Sequence, residues 1–428
     1  MSCPSRLSPW QQEVSTAFAH LSKPQALGLA LWSAGIALTG SVGISQISAL
    51  LALVLRQKEG AVVQRLREWY LEAQQKSGDQ RRDLEVTKCF APLLRWIVQR
   101  LVGFSGHLAL ALDATSLGER WTVLAVSVLV RGCAIPVAWK VLPAHAKGPW
   151  RPHWESLLNQ LAGSVPNDWL VVVLADRGLY ASWLYTAIVR CGWHPFLRIN
   201  LAVKVRPVGT EQFDWLSRWV PQVGTRWQGA VDCFVQKKSR LRCTVLLRWE
   251  AGYEYAWAVI TDLSADQANI AWYALRAWIE AGFKDLKRGG WGWQHSKMDQ
   301  ANRVERLWLA MAVALVWVVS LGSQADSQLA RGNLDRLPAT HIAHQRGPGT
   351  LGQRPARRLS CPQRGRLVLL AALVRAEEMP LGPIVAEPWP NRLTPNKREA
   401  NPTKVRQKAK QQERQRRYKA ARRRKRAA

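Results

Sequence analysis

Four polar side chains in the stretch YALRAWIEAGFKDLKRGGW (residues 273–291) recur at intervals that suit one face of a helix. Tyr273, Arg276, Glu280 and Lys287 are separated by two, three and six residues. At about 100° per residue, all four side chains fall within an arc of roughly 60°. The spacing therefore predicts a helix that presents one carboxylate flanked by cations.

The neighbouring face of this predicted helix is apolar, which would seat the helix on a core. A simpler interpretation is an ordinary amphipathic helix whose polar flank is solvated, with Glu280 and Lys284 as a routine ion pair one turn apart. The spacing within this helix alone leaves both interpretations open. The apolar face consists of Leu275, Ile279, Phe283 and Leu286, which fall between about 200° and 280° from Tyr273.

Two aspartates end apolar runs that have the composition of buried strands. Asp113 ends the run at 108–113, and Asp176 ends the run at 169–176, whose Val and Leu residues suit a strand covered on both faces. Strands of an open α/β sheet bring the side chains at their carboxyl ends to a shared crevice. We therefore expect both aspartates to lie beside Glu280, although a single Asp after a strand is more often a turn-former.

Three carboxylates in one crevice are the hard oxygen ligands that Mg²⁺ and Mn²⁺ prefer. Such a cluster would hold two ions about 3.5 to 4 Å apart. Two ions at that spacing activate a water or a 3′-hydroxyl and stabilise the leaving oxygen of an in-line phosphoryl displacement. This chemistry needs no protein nucleophile, and the sequence has no Ser-His-Asp or Cys-His arrangement and no Gly-rich phosphate loop.

The order of the predicted elements defines the fold class. Four strands and a helix precede Asp176, and Glu280 lies on a later helix, beyond a Trp- and Val-rich stretch with turn signals. This order predicts an α/β fold with a ribonuclease H-like catalytic core that is interrupted by a β insertion at about 201–264. The remaining elements are two strands at 121–143 joined by a turn at Arg131 and Gly132, helices at 153–165 and 182–191, and a strand at 195–200.

The charge of the chain points to a polyanionic partner. Among 428 residues there are 61 Lys and Arg against 30 Asp and Glu, a formal net charge of +31, which favours nucleic acid as the partner. Residues 391–428 hold 16 Lys and Arg and 2 Glu, so a net charge of +17 remains for residues 1–390. The body of the chain is therefore basic, and its Lys- and Arg-rich end is expected to be disordered without its partner.

Cysteine usage and hydropathy indicate the compartment. The seven cysteines occur singly, without a CxxC pair or ligand-like His spacing, which favours a reducing compartment and argues against zinc. Apolar stretches at 26–55 and 307–319 are either interrupted or shorter than the roughly 20 residues of a membrane span. Both are predicted to be buried helices, and no membrane is expected as a partner.

Three motifs together resemble those of a known family. They resemble motifs of the DDE transposases of bacterial insertion sequences, in the large cut-and-paste group (insertion-sequence-four type) that carries the Tyr-Arg-Glu-Lys signature. The motifs are LALDAT at Asp113, LADRGLY at Asp176 and the Tyr-(2)-Arg-(3)-Glu-(6)-Lys spacing around WIEAGFKDLK. The resemblance covers about residues 105–320. It implies that Asp113, Asp176 and Glu280 form the metal-binding catalytic triad. It further implies that the phosphates of the transposon end are held beside the triad by Tyr273, Arg276 and Lys287, with Lys284 at a further basic position.

Trp257 lies on the predicted last strand of the insertion, four residues before Thr261. In relatives that resolve their ends through a DNA hairpin, an aromatic side chain of the insertion stacks on a flipped base, and Trp257 resembles that residue. An indole face can replace the stacking that is lost when a base is flipped out. Because the chain contains 23 tryptophans, a core position for Trp257 is the alternative.

The resemblance implies a DNA transposase that binds terminal inverted repeats, cleaves at the transposon ends and transfers the 3′-hydroxyl ends to target DNA. Its partner would be double-stranded DNA, bound by a homodimer in a synaptic complex at the nucleoid, in the bacterial cytoplasm. The alternatives are a structure-selective nuclease of the same fold and a catalytically decayed or domesticated relative that only binds DNA. A host RNA-binding protein would explain the charge, but not the three carboxylates.

The composition of the chain suggests four regions. The region after Gly322 is rich in Gly, Pro and Arg, which would also suit a decayed C-terminus. The expected regions are a helical N-terminal region for binding DNA ends at 1–104, a catalytic domain with its insertion at 105–322, a region at 323–390 with one helical piece at 367–378 and a possible role in dimerisation, and a basic disordered tail at 391–428.

Overall fold

A mixed sheet of ten strands forms the centre of the described chain. The computed structural model describes residues 5–328 and 359–393, apart from residues 78–80, 104–105, 147, 252, 254, 288 and 392. A parallel pair of two short strands, β1 and β12 below, lies outside the large sheet. The strands are β1 (Leu101–Val102), β2 (His107–Leu117), β3 (Trp121–Val130), β4 (Cys133–Pro143), β5 (Leu170–Ala175), β6 (His194–Arg198), β7 (Lys204–Pro207), β8 (Asp214–Trp215), β9 (Arg226–Cys233), β10 (Leu241–Arg248), β11 (Trp257–Thr261) and β12 (Ile384–Val385).

Helices precede, cover and follow this sheet in the described residues. A 3-10 helix, Ile270–Arg276, runs directly into α9. The α-helices are α1 (Ser8–Ala17), α2 (Lys23–Thr39), α3 (Ile44–Leu55), α4 (Glu59–Tyr70), α5 (Phe90–Arg100), α6 (Arg151–Leu161), α7 (Ser182–Arg190), α8 (Leu216–Trp219), α9 (Ala277–Leu286), α10 (Ala301–Ser327) and α11 (Cys361–Val374).

The sheet has the strand order β4-β3-β2-β5-β6-β11-β10-β9-β7-β8. β2, β5 and β6 are parallel to one another, whereas β3 and β4 join antiparallel at one side. β11 pairs antiparallel with β6, so strands β7 to β11 extend the same sheet. The strands of the stretch at 201–264 therefore share one hydrogen-bonded framework with the strands that carry the aspartates.

The predicted hairpin at 121–143 is confirmed. Its two strands are β3 and β4, and the turn between them consists of Arg131 and Gly132, with φ angles of 48° and 75°. Two central residues with positive φ define the tight turn whose twist matches antiparallel strands. Glycine meets this requirement without strain, which explains the turn signal in the sequence.

The strand that carries Asp113 is longer than predicted. The apolar run suggested an end at residue 113, but β2 continues to Leu117 because β3 pairs with it as far as Trp121. The parallel pairing of β2 with β5 stops at Leu112, opposite Ala175. Asp113 therefore lies where the parallel pairing ends, and Asp176 directly follows the end of β5.

The prediction of one continuous helix from Tyr273 to Lys287 is wrong. Tyr273 and Arg276 lie in the 3-10 helix, and α9 extends only from Ala277 to Leu286. The side chain of Asn269 accepts the N–H of Ala271, and this cap starts the 3-10 helix before the α-helix begins. The predicted apolar face is confirmed, since all four of its members are buried: Leu275, Ile279, Phe283 and Leu286.

A glycine turn ends α9 just before Lys287. The N–H of Trp291 donates to the carbonyl of Asp285 at 3.0 Å, which brings the chain back across the helix end. A Cβ atom on Gly290 would lie 1.8 Å from the oxygen of Asp285. Only glycine allows this close approach, so the helix stops before its last signature residue.

The predicted buried helix at 307–319 is confirmed as the middle of α10. By length and composition α10 could cross a membrane, and the pair α2 and α3 passes the same test only if its 102° bend is ignored. The most apolar window of α10 is 94% buried within the fold. A helix that is apolar on all sides belongs in a core, and α10 is the central core helix of the described chain.

The region after α10 is joined to the fold by α11 and β12. α11 begins at Cys361, six residues before the predicted helical piece, because Ser360 and Gln363 form a capping box at its start. It packs against α10, and β12 pairs in parallel with β1. The predicted disordered tail at 391–428 lies outside the described residues except for Asn391 and Leu393, as do residues 329–358 of the predicted region at 323–390.

Candidate active site

The guanidinium of Arg276 connects the three acidic side chains predicted to converge. Its Nη2 atom donates to Asp113 Oδ2 at 2.9 Å and to Asp176 Oδ2 at 3.4 Å. Its Nη1 atom donates to Glu280 Oε1 at 2.7 Å. Arg276 is only 12% exposed, whereas Glu280 is 66% exposed. β2, the end of β5 and α9 thus bring three carboxylates to one cation, in a cluster that opens to solvent at Glu280.

Two backbone N–H groups orient the aspartates. The N–H of Ala114 donates to Asp113 Oδ1 and the N–H of Gly178 donates to Asp176 Oδ1, both at 2.8 Å. Burial raises the pKa of Asp113, and the positive charge of Arg276 and the bond from Ala114 oppose that shift. Each aspartate therefore keeps one oxygen on the backbone and turns the other toward Arg276.

The cluster has the carboxylate oxygens of a divalent metal site. Its three carboxylates are spaced, however, to accept hydrogen bonds from one arginine and not to share a metal ion. Among the described residues, no group of three or more His, Cys, Asp and Glu is arranged to hold a metal ion. The three carboxylates surround the guanidinium instead, which compensates only part of their negative charge. Hard oxygens with excess negative charge fit Mg²⁺ or Mn²⁺. An ion between them would compete with Arg276 for the same oxygens.

Lys287, the last residue of the predicted signature, bonds to β2 and not to the carboxylates. Lys287 Nζ donates to Thr115 Oγ1 and to the carbonyl of Ser116, both at 2.6 Å. Its partial burial lowers its pKa. Lys287 therefore ties the end of α9 to the part of β2 that follows Asp113. Lys284 lies exposed in α9, one turn after Glu280.

An aromatic cleft of ≈290 Å³ borders the carboxylates. Trp257, which is half-buried, meets the ring of Tyr273 edge to face, with centroids 5.2 Å apart. The guanidinium of Arg198 lies 5.4 Å from the Trp257 ring and 5.9 Å from the Tyr273 ring. The cleft is lined by Asp176, Arg177, Arg198, Trp257, Tyr273, Ala274, Arg276 and Ala277.

Arg177 and Arg198 were not selected from the sequence. Arg177 directly follows Asp176, and Arg198 is the last residue of β6. Both stand at carboxyl ends of parallel strands, which is the rule that selected the aspartates. Applied to cations as well as to carboxylates, the same rule would have found both arginines.

The comparison with known families is consistent with this geometry. Residues 119–317 match the family model of the transposase DDE domain. The match includes Asp176, Glu280 and the cleft, and it begins six residues after Asp113. No curated protein matches the chain. The match supports a DDE transposase, a class of enzyme that cleaves DNA with divalent metal ions.

Proposed function

We propose that the chain, whose residues 119–317 match the transposase DDE domain, is a DNA transposase that binds terminal inverted repeats, cleaves at the transposon ends and joins the 3′-hydroxyl ends to target DNA. The observation that carries this proposal is the convergence of Asp113, Asp176 and Glu280 on Arg276. The three carboxylates come from separate elements and meet beside a cleft lined by arginines and aromatic rings. This arrangement suits a phosphodiester as substrate.

The proposed catalytic triad is Asp113, Asp176 and Glu280, which would hold two Mg²⁺ or Mn²⁺ ions. When bound, the ions would activate the attacking hydroxyl and stabilise the leaving oxygen of an in-line phosphoryl transfer. The backbone bonds from Ala114 and Gly178 keep the aspartates oriented before an ion binds. Arg276 would pass from the carboxylates to a DNA phosphate, because both are anionic oxygens that accept from a guanidinium.

The sheet is the basis for proposing a ribonuclease H-like core. Numbered within the predicted core, the strands β4, β3, β2, β5 and β6 stand in the order 3-2-1-4-5, with the second strand antiparallel. Strands β7 to β11 would then be the insertion, which extends the sheet beyond β6. In this interpretation the insertion brings Trp257 to the same sheet edge as Asp176.

The cleft is the proposed site of the transposon end. Arg177, Arg198 and Arg276 would contact backbone phosphates, which position DNA without reading its sequence. Trp257 would offer its ring to a flipped base, with Tyr273 as the support behind it. Lys284 and Lys287 would extend the basic surface along α9. We further propose that a homodimer at the nucleoid brings two transposon ends together in a synaptic complex.

Replacement of Arg276 by Ala is expected to weaken duplex binding about equally for transposon ends and random DNA. The dependence of log Kd on log salt should become shallower by about one, because one phosphate contact is lost. Gel shifts over a salt series measure both quantities. Arg218→Ala is the matched control, since Arg218 is an exposed arginine paired with Asp214 on the insertion. A changed sequence preference at an unchanged salt slope would contradict a phosphate role.

Replacement of Lys287 by Ala tests the same role at the end of α9. Its bond to Thr115 makes it a support of β2 as well as a cation. Loss of a phosphate contact predicts a shallower salt slope, whereas loss of the support alone predicts slower cleavage at an unchanged slope. The variant Thr115→Val removes only the hydroxyl partner and separates the two effects. An unchanged slope and an unchanged rate would exclude Lys287 from the site.

Replacement of Trp257 by Ala is expected to leave first-strand nicking intact and to slow second-strand cleavage about tenfold. A flipped base loses its stacking partner, and one such stack contributes about 1–3 kcal/mol. Separate measurement of the two strand cuts on labelled ends gives the ratio. Trp219→Ala, which removes an indole packed on Trp227 elsewhere in the insertion, is the control. Equal slowing of both cuts would show that Trp257 serves the core and not a hairpin.

The DNA on either side of the gene provides the test of the proposed function. Short inverted repeats that bracket the gene would supply the natural substrate. Purified protein should shift fragments that carry these repeats and cut them at their ends in Mg²⁺. Binding without cutting would favour a decayed DNA-binding relative, and cutting of branched DNA without preference for the repeats would favour a structure-selective nuclease.

A further inference from the structure

The residues that follow α11 form an extended C-terminal strap, which we define as residues 375–391. The carbonyl of Pro380 accepts from the indole of Trp317 at 2.9 Å, and the hydroxyl of Ser323 accepts from the N–H of Val385 at 2.9 Å. The carbonyl of Gly382 accepts from Arg100 at 2.6 Å. The strap is therefore fixed to α10 and α5 between Pro380 and Val385.

The second half of the strap crosses from the paired strand β12 to the catalytic elements. The carbonyl of Val385 accepts from Arg131 at 2.9 Å, which attaches the strap to the turn between β3 and β4. Glu387 follows as a buried carboxylate, 4.0 Å from the same guanidinium. A cavity of only ≈20 Å³ remains where Glu387 and Trp389 face Trp278 of α9. The strap thus lines the same cavity as Trp278, which lies on the helix that carries Glu280.

The strap ends against the 3-10 helix that carries Tyr273 and Arg276. The ring of Trp389 meets the ring of Trp272 edge to face, with centroids 5.2 Å apart. The side chain of Asn269 caps the helix through its oxygen and donates through its nitrogen to the carbonyl of Asn391 at 3.1 Å. One side chain therefore links the start of the helix to the end of the strap.

A 3-10 helix of this length is expected to need stabilising contacts from other elements of the fold. Runs longer than three or four residues are uncommon, because their hydrogen-bond geometry is poorer than that of an α-helix. Here the run has seven residues and precedes α9 directly. Trp272 is packed by Phe196 of β6 at 5.7 Å and by Trp389 of the strap at 5.2 Å. Removal of either ring would leave Trp272 with one aromatic partner instead of two.

We propose that Trp389 is a positioning residue, through which the C-terminal strap holds the 3-10 helix so that Tyr273 and Arg276 face the cleft. Trp389 packs edge to face on Trp272 and on His107 of β2, and it would act on the cleft through Trp272. Pro388 and Pro390 flank Trp389 and restrict the backbone dihedral angles around it. The part of the inference that concerns activity rests on the proposed function.

Hydrogen exchange of the variant Trp389→Ala tests the positioning directly, without DNA. The amides of residues 270–276 should exchange at least tenfold faster than in the wild-type protein, because local opening becomes easier when one packing partner is lost. The amides of α10 should exchange at the wild-type rate. Trp389→Phe keeps an aromatic ring and should restore slow exchange, and Trp219→Ala should change neither segment. Wild-type exchange at 270–276 in Trp389→Ala would overturn the proposal.

A second variant tests the same contact if Trp389→Ala does not fold. Asn269→Asp keeps the oxygen that caps the helix and loses the nitrogen that donates to the strap. It should accelerate exchange at 270–276 about threefold or more while α10 stays protected. Unchanged exchange in this variant would remove the strap as the support, whatever the outcome for Trp389.

Cleavage kinetics distinguish a failure of the Trp389 role from a failure of the proposed function. On transposon-end DNA, Trp389→Ala should lower kcat about tenfold and leave KM within about twofold, because the DNA contacts remain while their geometry loosens. Trp389→Phe should recover most of the rate. If the wild-type protein cleaves no DNA, the proposed function fails while the exchange result still stands. A raised KM at unchanged kcat would make Trp389 a binding residue and overturn the proposal.

Discussion

Replacement of any one of Asp113, Asp176 and Glu280 by Ala is expected to reduce end cleavage by at least about 10³-fold. Each carboxylate would supply oxygen ligands to the ions, and metal assistance provides several kcal/mol of transition-state stabilisation. DNA affinity should stay within about threefold or rise slightly, because each change frees Arg276 from one anionic partner. Cleavage of labelled ends in Mg²⁺, with a gel shift in its absence, measures both.

The controls separate the lost carboxylate from a general loss of charge. Glu155→Ala removes a carboxylate that pairs with Arg151 on α6, outside the cluster, and should cleave as wild type. The amide variants Asp113→Asn and Asp176→Asn keep the size of the side chain and should be as inactive as the Ala variants. Wild-type cutting by any single variant would remove that residue from the triad.

Replacement of Gly365 by Ala is expected to destabilise the protein by about 3 kcal/mol. A Cβ atom at this position would lie 1.7 Å from the carbonyl oxygen of Val318 and 2.8 Å from the nitrogen of Gly322, so α11 and α10 must separate. Overpacking of this kind costs about 1–3 kcal/mol, and more when backbone and not a flexible side chain must move. The better helix propensity of Ala offsets about 1 kcal/mol at most. Denaturant unfolding measures the difference.

Gly60→Ala is the matched control for the change at Gly365. Gly60 also lies in a helix, α4, but a Cβ atom there would meet nothing within 4 Å. Its replacement should leave the stability unchanged or raise it by up to about 1 kcal/mol, since only helix propensity changes. Equal stability of the two variants would mean that α11 does not pack on α10 through Gly365.

The meeting of the carboxylates could be predicted because it follows from local patterns. Asp113 and Asp176 end near-continuous apolar strands, and parallel neighbours in a sheet end at the same edge. The position of Glu280 followed from the buried face of its helix, which the apolar spacing defined correctly. The spacing did not predict the change from 3-10 helix to α-helix at Ala277. The cap from Asn269 and the turn at Gly290 each depend on a single contact, which leaves no periodic pattern in the sequence.

The C-terminal segment could not be predicted for a different physical reason. Its composition suggested decay, yet Gly365 and Gly322 serve as a contact surface where two helices approach closely. The strap contacts residues far away in sequence, such as Arg131 and Asn269. Contacts between residues so far apart in sequence leave no periodic pattern. A Gly- and Pro-rich composition also does not distinguish a solvated loop from a packed strap.

The joining reaction tests the central claim most directly. Duplexes that end at the inverted repeats with free 3′-hydroxyls are incubated with the wild-type protein, Mg²⁺ and a supercoiled target plasmid. A DNA transposase is predicted to join these ends covalently to the plasmid, and the Asp176→Asn variant should join none. Failure of the wild-type protein to join ends that it demonstrably binds would contradict the assignment as a transposase.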